Sequence, residues 1–99
     1  MVIYVLDIVD QCVTYEDGVR VQSCIVNILS QGGDATVSFA GVNAVPSSFV
    51  KGAFVDLLNR YSIGFIRTHL RVTDSTRQIN AMIKDRFDYA VSHPIRAYA

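Results

Sequence analysis

Short runs of β-branched and aromatic residues alternate along this chain with amphipathic stretches, and this alternation restricts the fold more than any other feature. The runs predict β-strands, and apolar residues spaced three and four apart predict helices. The strands are expected at 2–9, 35–40 and 63–72, and the helices at 19–31, 48–61 and from 73 or 74 onward. Strands that alternate with helices form a mostly parallel sheet with right-handed crossovers, so the sequence predicts an α/β fold.

The length of the chain predicts one domain over residues 1–99, because a chain of this size forms a single hydrophobic core. Pro94 indicates that residues 92–99 form an irregular tail. Three helices are few for covering both faces of a parallel sheet. We therefore expect them mainly on one face, with the opposite face partly open to solvent or to a partner.

Charge and hydropathy exclude several classes of protein. Hydrophobic residues make up 51% of the chain, which argues against disorder, and nine basic residues balance nine acidic ones. A net charge of zero gives no long-range attraction to nucleic acids, anionic membranes or acidic substrates, and little repulsion against self-association. No apolar run approaches the roughly 20 residues that span a bilayer, and no secretory signal is recognisable. We expect a soluble cytoplasmic protein with no membrane partner, for which a homo-oligomer stays open.

Residues of the types that carry catalysis or bind metals are present but scattered. His69 and His93 are the only histidines, and Cys12 and Cys24 lack the CxxC spacing of metal and redox sites. The carboxylates occupy predicted turns and polar helix faces, and no glycine-rich phosphate-binding motif occurs. We predict two free thiols, no catalytic residue, no cofactor and no metal, and therefore a protein that is not an enzyme.

Arg67, His69 and Arg71 alternate along the predicted third strand, where they would form one basic face. Such a face can contact the phosphates of a nucleic acid or another anionic ligand. No aromatic residue accompanies it except Phe65 at one end, which disfavours stacking on bases. Anion or nucleic-acid binding at these three residues is the alternative to a protein-binding function.

Ser47 and Ser48 follow Pro46 at the start of the most strongly periodic predicted helix. One interpretation is structural, because a serine at a helix start accepts hydrogen bonds from free backbone N–H groups. The other is regulatory, because phosphorylation adds about two negative charges and can eject a docked partner. The residues alone leave both interpretations open.

Three segments of the chain together resemble one known family. Residues 37–49 resemble its strand, loop and helix-start signature, and residues 72–74 and 79–86 resemble its last strand and helix. The family is that of the STAS-like domains, short relatives of the sulphate-transporter and anti-sigma-factor-antagonist domains. The resemblance implies a mostly parallel or mixed sheet of about four strands, with three helices mainly on one face.

The resemblance also implies a function. The antagonists are small regulatory modules that dock to another protein, often a histidine-kinase-like ATPase, and phosphorylation of a serine at the helix start releases that partner. By position, Ser47 matches this serine and Ser48 the residue after it. Docking through the loop and helix start at 45–52 would involve Asn43, Pro46, Ser47, Ser48 and Lys51. A bacterial or phage inhibitor protein built on the same scaffold is an alternative.

Two positions depart from the pattern of the antagonists. Ser38 stands where their strand carries Asp, and Pro46 stands where an Asp precedes the phosphorylated serine. A kinase that acts on this chain therefore meets a loop of different shape and charge.

Overall fold

The secondary structure follows the predicted alternation of strands and helices but moves most of its boundaries. The computed structural model describes residues 2–92. Of the tail predicted at 92–99, Ser92 is helical, which corrects the prediction there, and residues 93–99 lie outside the described residues. The strands are β1 (Val2–Tyr4), β2 (Ala35–Ser38) and β3 (Leu70–Thr73). The helices are α1 (Val5–Ile8), α2 (Tyr15–Ser30), α3 (Ser47–Ala53), α4 (Ile63–His69) and α5 (Arg77–Ser92), with a 3-10 helix at Val55–Asn59.

The strands form one parallel sheet in the order β1-β2-β3. Val37 pairs with Ile3 on one side and with Val72 on the other. The sheet therefore has three strands within the described residues, and the prediction of about four is wrong there. Because the chain advances in one direction across the sheet, right-handed crossovers place the connecting helices on the same face.

Burial alternates along β1 and β3 and distinguishes the two faces of the sheet. Ile3 and Val37 face the helices and are buried. On the opposite face Val2 and Tyr4 are 48% and 50% exposed, and Arg71 is exposed as well. Within the part of the chain that the structure describes, the α-helices number five and not the predicted three, and the exposure of this face leaves it partly open.

Three fully buried phenylalanines join the sheet to the helices. Phe39 directly follows β2, and its ring centre lies 6.3 Å from that of Phe49 in α3 and 6.2 Å from that of Phe54. Burying a side chain of this size stabilises the fold by about 1.5–3 kcal/mol. These contacts fix the start of α3 relative to the end of β2. The helix predicted at 48–61 is divided at Phe54 into α3 and the 3-10 helix.

Helices α2 and α3 pack at backbone contact distance through two glycines. A Cβ atom on Gly18 would lie 2.3 Å from the carbonyl oxygen of Phe49, and one on Gly52 would lie 2.4 Å from that of Tyr15. Asp17 and Gly18 have the composition of a turn, but they lie in the first turn of α2, which begins four residues before its predicted start. Gly18 therefore permits helix packing and does not form a turn.

The strand predicted at 63–72 is wrong over most of its length, because Ile63–His69 is helix α4. Ser62 caps this helix by accepting a hydrogen bond from the backbone N–H of Phe65 at 3.1 Å. Tyr61, Phe65 and His69 follow one another at intervals of four, and their ring centres are 4.8 and 4.4 Å apart. Contacts at this spacing form on a helix, and here they prevail over the alternation of apolar and polar residues.

Two further boundaries differ from prediction. The strand predicted at 2–9 stops at Tyr4 and continues as the short helix α1. Helix α5 begins at Arg77 and not directly after β3, because the Thr76 hydroxyl accepts a hydrogen bond from the backbone N–H of Ile79 at 3.2 Å. In the described part of the chain no helix combines the length and the hydropathy needed to cross a membrane.

Candidate docking surface

The carboxyl ends of the three parallel strands lie side by side at one edge of the sheet. Tyr4, Ser38 and Thr73 are paired there in register. In open α/β sheets, ligands and partners bind at this edge because the loops that follow the strands converge there. The loop after β2 leads from this edge into α3, so the predicted site at 45–52 lies next to it.

A hydrogen bond connects the ends of β2 and β3. The buried Ser38 hydroxyl donates to the Asp74 carboxylate at 2.7 Å and accepts a hydrogen bond from the Ala40 N–H at 3.2 Å. Asp74 has a φ of 52°, in the left-handed region that Asp tolerates because its short polar side chain can hydrogen-bond locally. Although Ser38 replaces the acid expected in β2, the neighbouring strand therefore supplies a carboxylate at the same edge.

The loop that leads into α3 is held by the start of α5. The Gln78 side-chain amide accepts a hydrogen bond from the Val45 N–H and donates one to the Val45 carbonyl, both at 3.0 Å. The Thr76 hydroxyl donates to the Asn43 carbonyl at 2.8 Å. Three hydrogen bonds thus fix the backbone of this loop while Asn43 stays exposed.

The hydroxyls of Ser47 and Ser48 have different environments. The Ser48 hydroxyl donates to the carbonyl oxygen of Val13 at 3.1 Å and so ties α3 to the segment before α2. Ser47 is exposed, and its hydroxyl makes no hydrogen bond to any described residue. The N-cap of α3 is Pro46, which has no side-chain hydrogen bond to offer. The interpretation of the two serines as helix caps is therefore wrong.

Lys51 belongs to a polar cluster with Tyr15 and Asp56, which we call the Tyr15–Lys51–Asp56 cluster. The Lys51 ammonium lies 3.0 Å from one carboxylate oxygen of Asp56 and 5.3 Å from the centre of the Tyr15 ring. The Tyr15 hydroxyl donates to the other carboxylate oxygen, and this hydrogen bond raises the pKa of Tyr15. The Lys51 side chain is 60% exposed and that of Asp56 only 16%, so a partner can reach the ammonium far more easily than the carboxylate.

Each residue that the sequence predicts to bind a partner lies at the surface. Asn43, Pro46, Ser47, Ser48 and Lys51 are all exposed, and we call these five residues the docking surface. Ser47 and Ser48 precede Lys51 by four and three residues in α3, and side chains at these spacings are neighbours on a helix.

Two residues that the sequence did not single out extend this surface. Val13 and Tyr15 are 50% and 39% exposed, and they contact Ser48 and Lys51. They precede α3 by more than thirty positions, so no local pattern connects them to it. One signal in the sequence could have identified them: Val13 and Tyr15 are apolar or aromatic but lie outside the stripe of residues that α2 buries.

The basic row predicted from Arg67, His69 and Arg71 does not form one strand face. Arg67 and His69 lie in the last turn of α4, and Arg71 lies in β3. The Nδ1 atom of His69 is 2.6 Å from a carboxylate oxygen of Asp34, and this hydrogen bond lowers the pKa of Asp34. An anion would have to compete with Asp34 for His69, so the geometry gives no support to the anion-binding alternative.

The described residues offer little to metal or thiol chemistry. Over residues 2–92 no three His, Cys, Asp or Glu side chains are grouped so that they could hold a metal ion. Cys12 and Cys24 are free thiols, as predicted. Burial raises the pKa of Cys12 to about 11, which makes it a weak nucleophile at neutral pH.

Comparison with known families identifies the family of this chain. The model of a family described as a STAS-like domain of unknown function (DUF4325) matches residues 17–80, from the first turn of α2 to the first turn of α5. The matched segment includes the whole docking surface and agrees with the resemblance predicted from sequence. Neither the curated proteins nor the solved structures gave a match.

Proposed function

We propose a function from the premise that this chain belongs to the family of STAS-like domains. The chain is a regulatory module that binds another protein through the docking surface and catalyses no reaction itself. Its partner is a histidine-kinase-like ATPase, as the resemblance to the anti-sigma-factor antagonists implies. The observation that carries this proposal is the exposed Ser47 hydroxyl, which makes no hydrogen bond within residues 2–92 and follows a loop that Gln78 and Thr76 hold in place.

Ser47 is the better phosphoacceptor of the two serines. Phosphorylation of Ser48 would break its hydrogen bond to Val13, and an intramolecular hydrogen bond contributes about 1 kcal/mol. Phosphorylation of the exposed Ser47 breaks no hydrogen bond to a described residue. Phe49 and Val50 lie directly after the serines and are fully buried, so α3 stays anchored when its surface charge changes. Ser48 acts as a tether and Ser47 as the regulated residue.

Ser47→Asp tests the proposal, with Asn27→Asp as the matched control. The control adds the same charge to an exposed position of α2, outside the docking surface. Each purified protein is used to capture partners from a lysate of the source cells, the captured proteins are identified by mass spectrometry, and the purified ATPase is then titrated by calorimetry. We expect the parent and Asn27→Asp to bind the ATPase equally and Ser47→Asp to bind it at least about tenfold more weakly, a difference of about 1.4 kcal/mol.

Two results would contradict this proposal. If all three proteins bind the ATPase with equal affinity, the docking surface is located wrongly. If no ATPase is captured by any of them, the proposed class of partner is wrong. Thermal unfolding followed by circular dichroism checks that the substituted proteins are folded.

A further inference from the structure

The docking surface contains a cation within reach of Ser47. Lys51 follows Ser47 by four positions in α3, and side chains at this spacing have Cβ atoms about 6 Å apart. The chain has one other lysine, Lys84, which pairs with Asp88 in α5 at 2.7 Å. Lys84 therefore offers a comparison of the same residue type in a similar ion pair away from Ser47.

The contact that holds Lys51 is weak enough to be exchanged. The Lys51 side chain is 60% exposed, and an ion pair in contact with solvent contributes about 0–1 kcal/mol. Asp56 also accepts the hydroxyl hydrogen bond of Tyr15. When Lys51 leaves, the largely buried carboxylate therefore keeps a hydrogen-bond donor, and the penalty of an unsatisfied buried group is avoided.

Building on the proposed function, we propose that Lys51 leaves Asp56 and pairs with the phosphate when Ser47 is phosphorylated. In that reaction the Ser47 Oγ forms a bond to the γ-phosphorus of a nucleoside triphosphate and the bond to the nucleoside diphosphate breaks. The hydroxyl proton passes to a base of the kinase. The phosphate carries about 1.5–2 negative charges and three acceptor oxygens. The phosphate therefore attracts the Lys51 ammonium more strongly than the single carboxylate of Asp56, which also accepts a hydrogen bond from Tyr15.

The exchange changes the docking surface in two ways. The phosphate adds negative charge at Ser47, and the Lys51 ammonium is no longer available to a partner. The cation also leaves the Tyr15 ring, so the Tyr15–Lys51–Asp56 cluster loses its contact between α2 and α3 through Lys51. A single modification thus engages the Lys51 ammonium with the phosphate and changes the environment of Tyr15.

The test is a phosphorus NMR titration of the full chain with phosphoserine placed at position 47 during translation. The second ionisation of the phosphate has a pKa near 6. An exposed pair at this spacing contributes about 0.3–0.5 kcal/mol, which corresponds to about 0.3 pH units. We expect Lys51→Gln to raise the phosphate pKa by about this amount and Lys84→Gln to leave it unchanged. Equal phosphate pKa values in the two variants would overturn the proposal.

The ring signals of Tyr15 give a second measurement. Adding the phosphate should shift them in the Lys84→Gln protein and leave them in place in the Lys51→Gln protein, and shifts of equal size in both would also refute the exchange. Neither measurement needs the partner, so its failure can be told apart from failure of the proposed function. Both lysines are exposed, and circular dichroism verifies the fold of each variant.

Discussion

Replacing Gly52 with alanine tests how the two central helices are held together. The new Cβ atom would lie 2.4 Å from the carbonyl oxygen of Tyr15 and 3.0 Å from the backbone nitrogen of Val19. Both obstacles are backbone atoms of α2, which cannot rotate away as a side chain can. Helix α3 has to move away from α2 by about 1 Å to restore ordinary contact, and this displacement disturbs the packing around it.

Two opposing effects determine the size of the change. Adding a methyl group to a well-packed interior costs about 1–3 kcal/mol, and backbone obstacles place Gly52 at the upper end. Alanine is favoured over glycine in helices by about 1 kcal/mol. We therefore expect Gly52→Ala to lower the free energy of unfolding by about 2 kcal/mol. For a domain of this size, that corresponds to a decrease in Tm of about 8–16 °C.

Urea unfolding followed by circular dichroism measures this change, and Gly64→Ala is the matched control. A Cβ atom on Gly64, in helix α4, would lie 4.0 Å from the Ser62 hydroxyl and close to nothing else that the structure describes. We expect this variant to be more stable than the parent by about 0.5–1 kcal/mol, through helix propensity and a less flexible unfolded chain. If both variants unfold within about 0.5 kcal/mol of the parent, the close approach of α2 and α3 is refuted.

Three further predictions concern the hydrogen bonds from Gln78 to Val45, the reactivity of the two thiols and the loss of stability at low pH. Gln78→Ala removes both hydrogen bonds to Val45 and should lower the free energy of unfolding in urea by about 2 kcal/mol. An unchanged urea midpoint would show that these hydrogen bonds do not stabilise the fold. The Cys12 thiol, with a pKa of about 11, is ionised in about one molecule in a thousand at pH 8. It should therefore react with a disulfide reagent far more slowly than the partly exposed Cys24, and equal rates would count against its burial. The lowered pKa of Asp34 gives stability that is present above about pH 4 and is lost as the pH falls through the folded pKa, since the unfolded chain then binds more protons. Asp34→Asn should weaken this acid dependence of Tm, and an unaltered profile would exclude a contribution from the His69 hydrogen bond.

The docking surface shows how a family pattern can be kept while individual residues change. Ser38 lacks the carboxylate that the resemblance leads one to expect, yet it positions the carboxylate of Asp74 at the same sheet edge. Pro46 lacks the second acid, and its extended backbone (φ −85°, ψ 167°) leads directly into the first turn of α3. The substitutions therefore alter the charge of this edge less than the sequence alone suggests, and they leave Ser47 exposed.

Structural features that depend on residues close together in the chain could be predicted from the sequence. The alternation of strands and amphipathic stretches predicted an α/β fold with a parallel sheet, and the apolar spacing from Phe49 onward predicted the helix that contains α3. The segment 37–49 predicted the STAS-like family, because its order of strand, loop and helix start is local. Local patterns failed where two periodicities overlapped. Residues 66–72 alternate like a strand, but Phe65 and His69 lie four apart, and the tertiary structure makes 63–69 a helix.

Contacts between distant segments could not be predicted, because no local pattern records them. The bonds from Ser48 to Val13 and from Ser38 to Asp74 join residues 35 and 36 positions apart. From the sequence, Gly18 is expected in a turn. Only the packing of α3 against it explains why a side chain is excluded there. The sequence by itself determined the α/β class and the family, and it predicted the five residues of the docking surface. Only the tertiary structure decided which serine hydroxyl bonds to Val13 and which carboxylate and ring contact Lys51, because those contacts depend on which segments meet once the chain has folded.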